Sequence, residues 1–519
     1  MLPAVPERAL TELGRTEGGP ETLGLLVRDQ HTRRLLLLRA VLDAAEAAGP
    51  AVCSAAARAR LRDDWALLEE ADRVVEPAVS PAAWAYDSGE ASPTVDRARP
   101  LSGAVPADST AAPTVSGFAV PPLSQVRALL LNPFVGPWAR YCLRGLGAAG
   151  NGPRTERDAG ELRRDLAYFG ALAAVAAARA GVPYSLRLTA RDGVLTLPSL
   201  GALRTAVPGD AAVDVVHLRQ ALTLRQRGER DIVVRLQSGS VGAWSEAAAW
   251  TPAHALPGLL PGSAPVPLDD IDPYRTARGG SRPHELSGPV ALDDAERKRW
   301  LESWSGAASV LQLGGEQRVS EAVALLRCLV PLSAPLGATP GHRNTGSCSG
   351  TRREAFGAVL SSTPPTATTF ASTLVHELNH TKLAALSDML TLHHAGPHER
   401  YFAPWRPDPR PYDGLLQGAY SHLALADFFQ RCALALTNPA RREAAWAQHA
   451  RYREQVGAVL PALVGSGDLT VQGRRFVDQM VRVYERLAEH PAPRGQAARA
   501  AEYVRAARAL WTQRHAPGE

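Results

Sequence analysis

Apolar residues recur at helical spacing along most of the chain, whereas the alternating pattern typical of strands is confined to one stretch. Residues 22–75 carry two amphipathic helical segments, and the same spacing returns at 123–146 and 155–181. Between 184 and 237, apolar and polar residues alternate, with an Arg-Asp-Gly turn signal in the first segment. Helical spacing dominates again from about 291. The sequence therefore predicts a mainly α fold with a small β portion (α+β).

Composition divides the chain into four parts. Residues 76–122 are rich in Pro, Ser, Ala and Gly, which predicts a linker or a surface excursion. This segment separates an N-terminal helical segment, 1–75, from a mixed helix and strand region, 123–290. Within that region, the Pro- and Gly-rich part 250–290 is expected to be irregular. Residues 291–519 are expected to form a helical region that carries the main motif of the chain.

Charge and cysteine usage exclude several classes of protein. The net charge is +5, but the basic residues are dispersed arginines, with only Lys298 and Lys382 as lysines, and no aromatic-interleaved basic stripe occurs. The five cysteines are far apart, as in a reduced cytosolic protein. The longest apolar run, 166–178, is too short to span a bilayer. We therefore expect a cytoplasmic protein that binds neither nucleic acid nor membrane.

The segment 373–383, TLVHELNHTKL, contains two histidines four residues apart, with a glutamate directly after the first. On a helix, His376 and His380 lie on one face, so that both imidazoles can bind one metal ion. Glu377 projects about 100° further round the axis, where it can reach a metal-bound water or orient a neighbouring group. The alternative is a helix with two solvated histidines. Apolar neighbours favour a buried helix over about 367–393.

A metal bound by these histidines needs a third protein ligand. The histidine that metzincins place six residues after the second is replaced here by Leu386. His422 is the preferred candidate, because it lies on a half-buried face of the next predicted helix, 415–436. Glu399 is the alternative, at a spacing from His380 that one aminopeptidase family uses, although it lies in a predicted loop. Further options near the predicted helix end are His393, His394 and His398.

Two arginines, Arg406 and Arg410, lie in the proline-rich loop between the two predicted helices. Proline fixes φ and so reduces the entropy lost when a side chain is held in place. A guanidinium held beside a metal suits two-point binding of a carboxylate. The alternative is that each arginine forms only a structural ion pair, with Asp408 or Asp413.

The motif helix, together with the segment 401–429, YFAPWRPDPRPYDGLLQGAYSHLALADFF, resembles the HExxH-motif proteins encoded in bacterial gene clusters for peptide natural products. Further segments that carry the resemblance are RRLLLLRAVLDAA, LNPFVGPWA, LRCLVPLSAP and SGTRREAFGAVLSSTPP. The resemblance therefore extends along most of the chain. It implies an Fe(II)- and α-ketoglutarate-dependent oxygenase that uses O2 to β-hydroxylate a residue of a ribosomally made precursor peptide, with an HExxH-bearing helical catalytic core.

The same resemblance implies roles for individual residues. His376, His380 and His422 would bind iron, although an all-histidine site departs from the common set of two histidines and one carboxylate. Arg406 or Arg410 would pair with the distal carboxylate of α-ketoglutarate. Glu377 would orient a ligand or a bound water.

Two other functions stay open from the residues themselves. A gluzincin-type zinc metallopeptidase would use Glu377 as its general base, with Glu399 as the third zinc ligand to test. A non-catalytic peptide-binding protein would need no metal. In any of these readings, a sheet edge within 184–237 is a candidate for binding a leader peptide by strand addition.

Overall fold

The structure is a computed structural model. It describes residues 5–74, 125–147, 155–237, 240–278, 288–334, 348–397 and 401–515. The predicted linker 76–122 lies outside these residues, as do Glu399 and His398. The described chain forms these helices: α1 (Glu7–Gly14), α2 (Pro20–Ala47), α3 (Ala55–Arg73), α4 (Gln125–Leu130), α5 (Val135–Gly147), α6 (Glu156–Arg179), α7 (Asp294–Ser305), α8 (Ala307–Leu313), α9 (Glu316–Leu325), α10 (Ala367–Met389), α11 (Tyr412–Ala435), α12 (Pro439–Val464), α13 (Val471–Arg486) and α14 (Arg494–His515).

The strands are short: β1 (Tyr184–Ala190), β2 (Val194–Leu197), β3 (Gly201–Arg204), β4 (Ala211–Leu218), β5 (Ala221–Arg225), β6 (Ile232–Leu236), β7 (Ala243–Trp244), β8 (Trp250–Pro252), β9 (His254–Leu256), β10 (Val266–Leu268), β11 (Cys328–Leu332), β12 (Ser349–Gly350) and β13 (Ala358–Ser362). Helix therefore predominates, and the predicted mainly α fold with a small β portion is confirmed. No helix in the described ranges combines the length and the apolar character needed to cross a bilayer.

The strands form three sheets. An antiparallel sheet of order β1-β4-β5-β6-β7 and a smaller one of order β2-β3-β8 come mainly from the region that the alternating pattern predicted. The predicted Arg-Asp-Gly turn is present, since Arg191 and Val194 exchange both backbone hydrogen bonds at 2.9 Å. Asp192 and Gly193 between them have positive φ angles of 50° and 81°. The strands on either side of this turn, β1 and β2, then enter different sheets.

The third sheet, of order β12-β13-β11-β10-β9, was not predicted. Two of its strands, β9 and β10, lie in 250–290 together with β8 of the smaller sheet, so the prediction of irregular structure was wrong at these three short strands. The segment 320–332 lies in the region that was predicted to be helical, but α9 ends at Leu325 and β11 follows. A strand buried on both faces has a continuous apolar run, which cannot be told from a buried helix by periodicity.

The third sheet lies between two hydrophobic cores. Successive residues of β11 point to opposite sides, with Leu329 in the first core and Val330 in the second. The first core contains α10 and α11, and the second contains the sheet that begins with β1. Helix α2 packs against both, with Leu26 in the first core and Leu38 in the second. The N-terminal helical segment is therefore part of the framework that supports the site.

Helix α10 begins where predicted and ends four residues earlier. The side chain of Thr366 accepts a hydrogen bond from the backbone N–H of Thr369 at 3.1 Å and caps the first turn. Phe370, one turn further on, packs edge-on against Trp300 with ring centroids 5.4 Å apart. Because the apolar face of α10 is buried in the first core, the face that carries His376 and His380 is directed towards a cavity.

A buried ionic network holds α10 and α11 from the side of the first core. Lys382 is fully buried, and its Nζ lies 3.1 Å from a carboxylate oxygen of Glu321 on α9. Arg318, also on α9, pairs with the same glutamate at 3.1 Å and with Asp427 on α11 at 3.4 Å. Removing one partner of such a network leaves a buried charge unpaired, so the network restricts how the two helices pack.

Candidate metal centre

A cavity of about 480 Å³ lies between α10, α11, the loop before α11 and the segment that begins at β12. Helix α2 contributes Gln30 to its wall. The cavity brings together the six residues that the sequence assigned to the site, which are His376, Glu377, His380, Arg406, Arg410 and His422. Of the other candidates, neither His393 nor His394 lines it. His393 instead lies 3.6 Å from Asp413, and His394 is exposed.

The two histidines of the motif have the spacing of a chelating pair. The Nε2 atoms of His376 and His380 lie 3.2 Å apart. Two nitrogens that bind one ion at ~2.1 Å each are separated by about 3 Å, so the pair fits a shared metal. The other nitrogen of His380, Nδ1, lies 3.1 Å from Oε1 of Gln417 on α11. A hydrogen bond from Nδ1 to this amide oxygen leaves Nε2 free to bind a metal.

His422 faces the same cavity from α11. Its ring centroid lies 5.4 Å from that of His376, and its Nδ1 is buried without a hydrogen-bond partner. The rings of Trp405 and Tyr452 pack edge-on against it, with centroids 4.5 Å and 5.1 Å away. Across the described ranges, no three His, Cys, Asp or Glu side chains have the spacing of a complete metal site. His422 therefore faces the cavity as a candidate third ligand, and among the three histidines the chelating distance is present only for the pair on α10.

All three imidazoles are poised to be neutral, which is the form that binds metal. Burial lowers the pKa of His376 well below its usual value, and the neighbouring rings of His380 and His422 lower it further. Burial also lowers the pKa of His380, despite its hydrogen bond with Gln417. For His422, burial lowers the pKa to about 3. The donor set of neutral nitrogens suits Fe(II) and Zn(II) alike.

Glu377 is held beside the histidine pair by the strand segment opposite. The hydroxyl of Ser349 donates a 2.7 Å hydrogen bond to its Oε1, and this oxygen lies 3.9 Å from Nε2 of His376. Its second oxygen, Oε2, is buried without a partner. Burial raises the pKa of Glu377 to about 7, although the nearby hydroxyls of Ser349 and Thr351 oppose this change.

The arginine loop closes the cavity on the side of α11. Backbone hydrogen bonds of 2.6 Å and 2.9 Å between Tyr401 and Arg410 join the two ends of the loop. The Nε of Arg406 donates to Asp408 at 3.0 Å, and Arg410 lies 3.6 Å from the same carboxylate. The ion pairs considered as an alternative are therefore formed with Asp408. Both guanidiniums nevertheless line the cavity, and the Nε of Arg410 is buried without a partner.

Two glycines on α11 allow this loop to approach the helix. A Cβ at Gly414 would lie 2.9 Å from Nη2 of Arg410, and a Cβ at Gly418 would lie 2.5 Å from the Trp405 ring. Gly414, Gly418 and His422 follow one another at four-residue spacing, so they share one face of the helix. The loop arginine, the tryptophan and the third histidine are thus stacked along one side of α11.

Sequence reasoning assigned no role to several residues of the site. Trp405 packs on His422, Gln417 binds His380, and Ser349 binds Glu377. Gln417 and Gly418 lie one turn before His422 on α11, which is a signal that helical spacing could have supplied. Ser349 carried no local signal, because it reaches the site only through the pairing of β12 with β13.

Comparison with known proteins adds no relative for this chain. No protein-family model matches it, and no curated protein matches it closely enough to count as similar. The residues of the site itself are therefore the basis on which a function can be proposed.

Proposed function

We propose that the protein is an Fe(II)- and α-ketoglutarate-dependent oxygenase that β-hydroxylates a residue of a ribosomally made peptide. The observation that carries the proposal is the convergence of His376, His380 and His422 with the arginine loop on one cavity. Three neutral nitrogens leave room on a metal for a chelating co-substrate and O2. The adjacent guanidiniums supply the counter-charge for a dicarboxylate. A peptidase has no need of this second feature.

The chemistry of the bound group can be stated briefly. Fe(II) with α-ketoglutarate and O2 yields succinate and CO2 while one oxygen atom enters a C–H bond of the peptide. The role of the protein is to hold the reactants in position. His376 and His380 would bind the iron from one face of α10, and Gln417 fixes the orientation of the His380 ring through its Nδ1.

Arg406 and Arg410 would bind the distal carboxylate of α-ketoglutarate. Their shared partner Asp408 keeps both side chains at the cavity wall before any ligand binds, which lowers the ordering cost of binding. Burial would raise the pKa of Asp408, but the hydrogen bond and the charge of Arg406 outweigh burial and hold this pKa below its usual value. The loop therefore keeps a fixed anion between two cations, with guanidinium N–H groups left for the co-substrate.

Glu377 and Trp405 also line the cavity, and we assign them roles other than binding the carboxylates of the co-substrate. The hydrogen bond from Ser349 fixes Glu377, which can accept a hydrogen bond from a bound water or an imidazole on the cavity side. Trp405 covers one edge of His422 and limits the access of water to that ring. Excluding water from an oxidising site prevents side reactions.

The test is a succinate-release assay on anaerobically purified protein. Fe(II), α-ketoglutarate, O2 and the peptide encoded beside the gene are supplied together, and the peptide is followed by mass spectrometry. Succinate in step with a peptide gain of ~16 Da supports the proposal, because that is the mass of one inserted oxygen atom. Protein that is shown to bind Fe(II) but forms neither product contradicts it.

A zinc metallopeptidase is the second candidate, and one observation favours it. Glu377 has an unpartnered buried Oε2 beside the histidine pair, which is the position of a general base in HExxH peptidases. Zinc-dependent cleavage of the peptide without succinate would support this function. The variant Glu377→Gln separates the two, since it would abolish cleavage by a peptidase but would leave measurable hydroxylation by an oxygenase.

A further inference from the structure

A second cavity, of about 860 Å³, lies on the other core of the molecule. It is bounded by the turn 50–54 between α2 and α3, the first turns of α3, the first half of α6 and Thr189 of β1. Its floor is apolar, with Val52, Leu61 and Leu166 among the lining residues. None of the residues of the candidate metal centre lines it.

Four arginines surround this floor, and within the described residues three of them have no carboxylate at ion-pair distance. Arg164 is fully engaged, with Glu161, Asp192 and Asp210 at 3.3 Å, 3.3 Å and 2.7 Å. The other three rim arginines, Arg60, Arg157 and Arg163, are exposed. Within the described ranges, none of these three has a carboxylate at ion-pair distance. An apolar floor with uncompensated positive charge at its rim suits a ligand that is both apolar and acidic.

An open strand edge adjoins this cavity. Strand β1 pairs with β4 along its whole length, and no strand in the described part of the chain pairs with its other edge. Its residues alternate, with Leu188 and Ala190 buried in the second core while Arg187 is exposed. Thr189, near the end of this strand, is itself part of the cavity wall. A free edge offers backbone N–H and C=O groups that an extended chain can satisfy.

We propose that this cavity and the free edge of β1 bind an acidic peptide segment in extended conformation. The segment would pair its backbone with β1, place alternate apolar side chains on the floor and direct its carboxylates to Arg60, Arg157 and Arg163. The free strand edge favours a peptide over a small polyphosphate, which would use the arginines alone. In combination with the proposed function, the segment belongs to the same precursor peptide and lies apart from the residue that is hydroxylated.

Helix α2 fixes the distance between the two cavities. Gln30 of this helix lines the metal cavity, and the turn that follows its last residue, Ala47, lines the second cavity. At ~1.5 Å per residue, the helix covers about 25 Å between these two positions. An extended peptide at ~3.3 Å per residue needs about eight residues to span that distance. The acidic segment would therefore lie at least about eight residues from the modified position.

Binding is tested by fluorescence anisotropy on the full chain, without metal or co-substrate. The probe is a fluorescein-labelled decapeptide of alternating Glu and Val. The double variant R157E/R163E is expected to weaken binding at least tenfold, because two attractive charges become repulsive. The matched control is R482E/R505E, which reverses two exposed arginines on α13 and α14 and should leave affinity within twofold. Circular dichroism verifies that both variants are folded.

A second probe separates strand pairing from simple charge attraction. The same decapeptide, N-methylated at alternate positions, keeps its carboxylates but loses half of its backbone donors. Loss of binding for one of the two N-methylation registers supports pairing with β1. Equal affinity for both registers and the parent peptide overturns the proposal, as does displacement of the probe by millimolar pyrophosphate in preference to unlabelled peptide. Unchanged binding in R157E/R163E overturns it as well.

The binding experiments test the second cavity separately from the reaction proposed for the metal centre. If the probe fails to bind while succinate and hydroxylated peptide still form, only the docking inference is lost. If the probe binds and no oxidation occurs, the proposed reaction is lost and the docking site remains. Once the acidic segment of a substrate is known, shortening its spacer below about eight residues should abolish modification while leaving anisotropy unchanged.

Discussion

The two cavities differ in how many of their arginines are paired with carboxylates. In the metal cavity every arginine is engaged by a carboxylate: Arg406 and Arg410 by Asp408, Arg353 by Asp388, and Arg352 by Glu354. At the second cavity, Arg60, Arg157 and Arg163 have no such partner in the described residues. Paired arginines are fixed before a ligand arrives, as positioning of a reactant requires. Unpaired arginines attract a ligand at long range, as recognition requires.

The largest expected effect concerns the histidine pair. His376→Ala removes one of the two nitrogens that lie 3.2 Å apart, so the variant should lose Co(II) absorption bands and at least ~10³-fold in succinate release. Its affinity for the acidic decapeptide should not change, since the second cavity contains no residue of α10.

The exposed His394 provides the control for this variant. His394→Ala should retain both metal binding and activity, because His394 does not line the cavity. A His376→Ala protein that binds Co(II) as tightly as wild type would show that the histidine pair is not the metal site.

The next effect tests whether the arginine loop binds a carboxylate or is only structural. Arg410→Ala should raise the KM for α-ketoglutarate about 10–100-fold, as expected for the loss of a charge-assisted hydrogen bond. Affinity for the acidic decapeptide should stay the same. Asp408→Asn is the informative control, because it removes the charge of the shared partner yet keeps both guanidiniums in the protein for the co-substrate.

A role in co-substrate binding predicts that Asp408→Asn changes this KM by no more than about threefold. A purely structural role predicts that Asp408→Asn and Arg410→Ala have the same effect. Steady-state kinetics with α-ketoglutarate as the varied substrate distinguishes these results.

Local sequence signals predicted the parts of the site that one or two helices carry. His376, Glu377 and His380 follow from spacing on α10, and the position of His422 follows from the next amphipathic helix. The partners of these residues come from elsewhere in the chain. Ser349 depends on the β12–β13 pairing, and Gln30 depends on how α2 packs against both cores. No periodicity in the sequence encodes such long-range packing.

The same limit explains the third sheet. Its strand β11 is buried on both faces and reads as a continuous apolar run, so the prediction continued the preceding helix through it. In the sequence Lys382 is distinguished only as one of two lysines, yet it is fully buried against Glu321. A rare lysine inside an apolar helix is a signal of a buried ion pair, but its partner on α9 can be found only from the fold.

A smaller effect concerns the packing of the loop on α11. Gly418→Ala introduces a Cβ that would lie 2.5 Å from the Trp405 ring, so the tryptophan must move away from the edge of His422. Overpacking of this kind costs about 1–3 kcal/mol. We expect succinate release to fall roughly two- to tenfold, if half of that cost is expressed at the site. Gly147→Ala, at the end of α5, meets no atom within 4 Å and is the control.

A displaced Trp405 would admit water to the site. Gly418→Ala should therefore release succinate without hydroxylating the peptide in a larger fraction of turnovers than wild type. Wild-type rates and stability in Gly418→Ala would mean that the close approach of Trp405 to α11 is not required.

The last prediction, with the smallest expected effect on function, concerns why the positive charge of Arg60 at the rim of the second cavity is not neutralised by a neighbouring acid. Asp64 lies one turn after Arg60 on α3, but burial raises its pKa to about 7, and one of its oxygens has no hydrogen-bond partner. The buried acid one turn after Arg60 is therefore largely protonated below neutral pH. The unfolded chain ionises this group near pH ~3.9, so the native state loses stability as the pH rises from about 4 to 7. Asp64→Asn removes this penalty and should therefore be more stable than wild type at pH 8.

The gain should shrink as the pH falls towards 4, where Asp64 is protonated in both states and the two proteins differ by packing alone. Thermal denaturation at several pH values gives the difference in Tm between the variant and wild type. Asp63→Asn is the control, because the neighbouring Asp63 is exposed. A gain that is independent of pH would show that Asp64 is ionised in the native protein. In that case Arg60 would have an anionic neighbour, and the contrast between the two cavities would rest on Arg157 and Arg163.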